Sequence, residues 1–476
     1  MSEDSAGSSD NPDSSDDAEL DKQITDKQQR IHDCSSWDPV QLGMFLNDLA
    51  GDIYNRFLKQ RQVEDLEQAI TYRRVALELF PTSSFNHSTT LADLALVVHA
   101  RFEQLGEVKD LNEAVTLLYK AVELHPVGHE HHYTTLSRLG TALLGRFEYL
   151  NDLMDLNEAV LKLQEAVQLA PEDHPLRSSW LYNLGTALMG RFEQLYDLED
   201  LNAAVLRFQE AVQLTPDYHP YKLSRLNSLG IALSSRFGRL SDINDINAAI
   251  QTFQEAVQLA PDDHPNKPSC LNNLGNAFSS RFGLLGNIID IDNAILRNQE
   301  AAQLTPDDHP DKALRLNNVG NTLWRRFQRL GDPKDVDNAI LRNQEAVELT
   351  SDDDPYKPVW LTNLGLSLLT RFERLGNLDD INDAVLRNQN AVQLTQEGHP
   401  QKGLCLNNLG MSLLRRFEWL DEPRDISEAI QRSQEAVQLT PDSDPSKASW
   451  LYNLAKLLLG RFKRLGELND INDAVL

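Results

Sequence analysis

The chain has 476 residues and a net charge of −27. That length exceeds one ordinary hydrophobic core, so several domains or a repeat array are required. The charge makes nucleic acid and anionic membranes poor partners, and basic or extended proteins and peptides better ones.

The first residues, MSEDSAGSSD, carry neither the basic region nor the apolar run of a secretory leader. No apolar stretch approaches the roughly 18 residues of a membrane span. The three cysteines, Cys34, Cys270 and Cys405, lack disulfide or metal spacing. A cytoplasmic or nuclear chain is expected.

Residues 1–36 are rich in Ser and Asp, with ten acidic and three basic side chains. So little apolar surface cannot offset the entropy of ordering, and a disordered tail is expected over 1–36. Ser14 followed by Asp17 has the spacing of an acid-directed phosphorylation site; an unmodified solubilising tail is the plainer reading.

From residue 37 to 476 the chain repeats. Arg-Phe begins at Arg56 and returns every 45 residues to Arg461, ten times without insertion or deletion. Ala69 to Ala474 and Asp65 to Asp470 keep the same step. A fixed period of this length means one supersecondary unit stacked in a line.

Residues 171–216 illustrate the unit. Asp173-His174-Pro175 predicts a helix A starting at Pro175, because proline suits the first turn and displaces the residue before it. Leu181, Gly185, Leu188 and Phe192 form one helical face, and helix A should stop near Leu195. The next column holds Gly106, Gly286, Gly331, Gly376 and Gly466 in other repeats, as a left-handed cap requires. Asp200 is the expected cap of helix B, with Glu113, Glu158 and Glu428 in capping-box positions after their own Asp. Helix B then presents Ala204, Phe208 and Ala211 on one face and ends before Pro216.

Leu181, Asn183, Leu184, Gly185, Ala187 and Leu188, followed by Ala204, Phe208, Ala211 and Pro216, resemble the tetratricopeptide repeat. That family's usual unit is about 34 residues, so helix A here is nearly two turns longer. The resemblance implies an all-α solenoid, a right-handed superhelix of ten helix pairs with the last incomplete, acting as a protein-binding scaffold without catalysis. The phrases LNNLG, RLG and TPDDHP further resemble arrays found in fungal-type proteins with a C-terminal CHAT domain, a caspase-like peptidase module. The alternative function is therefore the sensor arm of such a peptidase, whose catalytic domain this sequence lacks.

Candidate sites follow the columns. Arg191 can reach Asp200, and Arg281 can reach Asp290, as structural bridges. The Asp262-Asp263-His264 loops share a column with Ser84, His129 and Asp354, which is helix-capping usage. Cys270 and Cys405 share theirs with Trp180, Trp360 and Arg225, a tolerant surface or groove edge with no argument for a catalytic thiol. His125, His131 and His132 form a loose loop cluster, and no metal or cofactor is expected.

Asn183, Asn273, Asn318, Asn363, Asn408 and Asn453 are the candidate peptide-binding residues. They lie about 160° from the packing face of helix A. They should be exposed, in a position that in the resembling family lines the concave groove. A carboxamide both donates and accepts, so a row of them can hold an extended backbone. A second column, Asn298, Asn343 and Asn388, replaces the apolar Leu163, Phe208 and Phe253 in helix B and reads as a local change of packing. At the other end, helix B of the tenth repeat starts at Asp470 and the sequence stops at Leu476. Leu451, Leu454, Leu458 and Phe462 are therefore expected to be only partly covered.

Overall fold

The computed structural model describes residues 12–31, 37–125, 129–396, 398–442, 444, 446–467 and 470. Among the described residues the chain is an all-α solenoid of helix pairs, with no strand. It comprises two compact units, Met1–Ala232 and Leu233–Leu476, and the division falls inside one helix.

In the first unit α1 (Pro12–Arg30) precedes four A helices: α2 (Pro39–Gln60), α4 (Phe85–Leu105), α6 (Glu130–Leu150) and α8 (Arg177–Leu195). Their B partners are α3 (Val63–Leu79), α5 (Val108–Leu124), α7 (Leu153–Leu169) and α9 (Leu198–Gln213). The division lies in α10 (Lys222–Leu240). The second unit continues with B helices α11 (Ile243–Leu259), α13 (Ile288–Leu304), α15 (Pro333–Leu349), α17 (Leu378–Leu394) and α19 (Pro423–Leu439). Its A helices are α12 (Lys267–Leu285), α14 (Lys312–Leu330), α16 (Lys357–Leu375), α18 (Lys402–Leu420) and α20 (Ser446–Leu465).

Inside each unit an A helix such as α4 or α14 packs on its own B helix and on the B helix before it. The small-residue column sets how close they come. A Cβ on Gly185 would lie 2.8 Å from the Phe208 ring, so only glycine admits this approach of α8 to α9. Ala204 and Ala211 are fully buried on the same seam. The A helices end in the left-handed region as expected: Gly331 has φ 75°, and Tyr196 is forced to φ 58° where glycine is missing.

Three expectations change. Helix A proper begins at Arg177, not Pro175, because His174 Nδ1 accepts from Leu176 N at 3.1 Å and closes a turn first. Asp200 does not cap helix B. The cap is Asp197, whose side chain accepts from Glu199 N, and Asp152, Asp242 and Asp332 do the same in their repeats. Asp200 sits in the first turn, drawn inward by an arginine, so the capping-box reading of Glu113, Glu158 and Glu428 falls with it.

The disordered tail expected over 1–36 also differs from what is found, since Pro12–Arg30 forms α1. It lies against α2 with Ile24 buried, Asp21 bound to Arg56 at 3.2 Å and Lys27 bound to Asp52 at 2.5 Å. These few contacts fall on one face, which an average over composition hides. The side chain of Ser14, and Cys34, lie outside the described residues.

In α20, Leu458 is buried, Leu454 and Phe462 are half-buried, and Leu451 is 48% exposed. Residues 471–476, where the tenth helix B was expected, lie outside the described residues.

Candidate functional site

The Arg-Phe motif is built into the frame. In every repeat the arginine Nε and Nη2 donate to the two oxygens of the aspartate nine residues on. Arg191 reaches Asp200 at 2.7 and 2.5 Å, and Arg281 reaches Asp290 at 3.0 and 2.6 Å. In several repeats the third nitrogen crosses to the preceding helix B: Arg281 Nη1 donates to Asn247 at 2.8 Å and Arg371 Nη1 to Asp337 at 2.8 Å. One side chain thus ties three helices. Hydrogen bonding to Asp200 raises the pKa of Arg191 above its already high ordinary value, so the guanidinium stays charged.

The Cys270 column is not a surface or groove edge. Cys270, Cys405, Trp180, Trp360 and Arg225 are all buried. Arg225 is accommodated by Ser178 and Ser179, each at 2.9 Å, and by Thr215. Variety here reflects matched neighbours rather than tolerance. Burial pushes the Cys270 thiol up to about 11, which keeps it protonated and unreactive near neutral pH.

The histidines of the 125–132 segment are held by packing. His125 is buried, with Nδ1 3.2 Å from Thr135 Oγ1, and His132 Nδ1 lies 3.1 Å from the His125 carbonyl. Among the described residues no group of three His, Cys, Asp or Glu side chains is placed to hold a metal ion. Burial, reinforced by the neighbouring His131, His132, His129 and Arg138 charges, lowers the His125 pKa from 6.5 to about 4. The unfolded chain takes up a proton that the folded site refuses. This contribution to stability is therefore complete above pH 6.5 and is lost as pH falls through about 4. Hydrogen exchange resolved by helix should show the stability of α5 and α6 dropping between about pH 7 and about pH 5. His125→Thr, the residue type found at Thr215 and Thr305, should flatten that drop; an unchanged slope would refute it.

The candidate asparagines prove half-buried, not fully exposed, because the A helix of the preceding repeat reaches them. Asn318 Nδ2 donates to Asn272 Oδ1 at 2.8 Å, Asn363 to Asn317 at 2.9 Å, and Asn453 to Asn407 at 3.0 Å. In the first unit Asn183 donates to Thr141 Oγ1 at 3.1 Å. Asn273 is half-buried too. Asn408 has only a long contact, 3.5 Å, from Asn407. Each ladder bond uses one N–H of the outer carboxamide, leaving a second N–H and the carbonyl.

In the second unit two of the candidates, Asn408 and Asn453, border a cavity of about 280 Å³, and Asn273, Asn318 and Asn363 are not among its lining residues. Asn388, Asn407, Asn408 and Asn453 line it, with Met411, Leu366 and Leu369 as apolar wall and Glu373 and Arg415 paired at its rim at 2.8 Å. Asn388 is fully buried, and its Oδ1 has no hydrogen-bond partner. The helix B column Asn298, Asn343 and Asn388 therefore contributes one member to the site.

Two sets escaped the sequence reading. Asn272, Asn317 and Asn407, the inner rungs, were legible as the first members of Asn-Asn pairs. A lysine at the start of helix A was legible as a column. Lys222 Nζ donates to the carbonyls of Val212 (3.2 Å) and Thr215 (3.0 Å), and Lys402 to those of Val392 (2.8 Å) and Thr395 (2.7 Å). These lysines close the open carbonyls at the end of helix B.

Among known proteins, the family of Anaphase-promoting complex subunit 5 matches residues 98–187 and 217–276, less than half of the chain. No curated protein matches. Solved structures with similar folds include the human IFIT1 dimer with PPP-AAAA, 14% identical over 96% of this chain and 93% of that one, with a TM-score of 0.45. A tetratricopeptide repeat-containing protein from Cytophaga hutchinsonii is 12% identical over 66% and 99%, with a TM-score of 0.43. The kinesin light chain-like repeats of Podospora anserina are 17% identical over 47% and 96%, with a TM-score of 0.35. No helix among the described residues is long and apolar enough to cross a membrane. The chain is an all-α solenoid of stacked helix pairs with a 45-residue unit and a small-residue seam, an arrangement that resembles tetratricopeptide-type arrays.

Proposed function

We propose that this chain is a non-catalytic scaffold whose second unit holds an extended segment of a partner protein along its A helices. Repeat arrays of this kind are typical of interaction proteins. The observation that carries the finer reading is the cavity lined by Asn388, Asn407, Asn408 and Asn453. Carboxamides present paired donors and acceptors, which complement a peptide backbone whatever its side chains. The net charge of −27 favours a basic segment.

Asn408 is the clean probe, because its removal breaks no short ladder bond. Asn318 and Asn363 are less clean, since truncating them strands Asn272 and Asn317. Peptides selected from a random library on the full chain should bind Asn408→Ala about 2- to 13-fold more weakly, the equivalent of one lost hydrogen bond of about 0.5–1.5 kcal/mol. Methylating their backbone nitrogens should cost more than changing their side chains. Selected peptides indifferent to both changes would rule the reading out.

A further inference from the structure

The first unit carries a different chemistry at the same register of its A helices. Where Asn183 and the second unit have asparagine, the second and third repeats have Asp93 and Arg138. Arg138 Nη1 donates to Asp93 Oδ1 at 3.1 Å. Arg73, on α3, approaches the other oxygen: its Nη1 lies 3.2 Å from Asp93 Oδ2 but without hydrogen-bond alignment, and its Nε has no partner. Arg73 is only 5% exposed and occupies the helix B column that holds Leu118, Leu163 and Phe208 in the next repeats. Two guanidinium groups thus share one carboxylate, and a locally positive site results in a strongly acidic chain. Burial lowers the pKa of both arginines, and for Arg73 the charge of Arg138 adds to it.

Beside this triad lies a cavity of about 420 Å³, bordered by Asp93 and Arg138 and walled by Ala95, Leu96, Leu118 and Trp180. Thr134, Ser137 and Thr141 add hydroxyls. The volume falls within the range of small-ligand sites. Arg138 spends one of its five N–H groups on Asp93, so it can fork onto a second carboxylate at the cavity mouth. His99 and His131 also face the cavity.

We infer that this cavity is a second binding site, which takes an acidic side chain of a partner segment, its carboxylate on Arg138 and its methylenes or an apolar neighbour against Leu96 and Trp180. The site adds side-chain selection to the backbone reading of the second unit. It rests on the scaffold reading only in taking the ligand to be a peptide. The competing account is a closed structural triad, in which Asp93 alone serves both arginines.

The experiment uses the full chain and capped peptides of one apolar sequence whose central residue is Glu, Gln, phosphoserine or Lys, titrated by fluorescence polarisation. The Glu peptide should bind about tenfold or more tightly than the Gln and Lys peptides. That preference should vanish in Arg138→Met and in Leu96→Glu, which places a competing carboxylate at a partly exposed wall position. It should persist in Asn408→Ala, which probes the second unit, so the two readings fail separately. Equal binding of Glu and Gln, no binding of any peptide, or a preference retained in both first-unit variants would overturn the proposal in favour of the closed triad. Tighter binding of phosphoserine than Glu would overturn the carboxylate assignment.

Discussion

Arg101→Ala is expected to destabilise the second repeat by about 3–5 kcal/mol, the usual cost of leaving a buried charge without its partner. Asp110 is completely buried, and Arg101 holds both its oxygens, at 2.8 and 2.7 Å. Arg101 also donates to Glu67 on α3 at 3.0 Å. Glu67 is largely exposed, and that bond contributes little by itself. Removing arginine alone strands an ionised carboxylate in a site without water-like screening. Arg101→Ala combined with Asp110→Ala removes both charges and should cost less than Arg101→Ala alone. A stacked array need not unfold in one step, so a single global midpoint is a poor reporter. Hydrogen exchange resolved by helix is the suitable measurement: α4 and α5 should lose protection while α16 and α17 keep theirs. Equal loss in the single and the double variant would show that the pair is not coupled.

The architecture was readable because a helix pair repeats its own pattern ten times. Spacing along one helix predicts which residues share a face, and so Leu181, Leu188, Ala204 and Phe208 fall where expected, in the core. Contacts between repeats are harder to read, because they join residues about 45 apart whose pairing depends on the offset between neighbouring A helices. Asn318 meets Asn272, not Asn273, and that single-residue offset turns an exposed row into a half-buried ladder. The same limit explains Cys270 and Arg225. A column that mixes Cys, Trp and Arg looks permissive until Ser178 and Ser179 are seen to supply what Arg225 needs. Helix α1 was missed for another reason. Its sequence is polar on most faces, and it is held by Ile24 and a few ion pairs rather than by a periodic apolar stripe.

Asn298→Leu should raise the stability of the second unit by about 1–3 kcal/mol, the cost that an unpaired buried polar group imposes. Asn298 is fully buried on α13, and neither its Oδ1 nor its Nδ2 has a hydrogen-bond partner. It faces Gly275, as Leu163 faces Gly140 and Phe208 faces Gly185 in the first unit. Larger apolar side chains are thus already accommodated opposite glycine at this register, so overpacking is a modest risk. Asn343 and Asn388 should gain less, because Asn343 Nδ2 still donates to Ser367 at 3.1 Å and to the Asn363 carbonyl at 3.4 Å, and Asn388 Nδ2 to Ser412 at 2.9 Å. The order separates stability from function. Asn388 lines the cavity of the proposed peptide site, so Asn388→Leu should weaken peptide binding even where it stabilises the fold, whereas Asn298→Leu, outside that cavity, should leave binding intact. Urea denaturation followed by exchange in α12 and α13 tests the first part, and titration with the selected peptides tests the second. A lower midpoint for Asn298→Leu would mean that the carboxamide fits its seam better than an apolar side chain does.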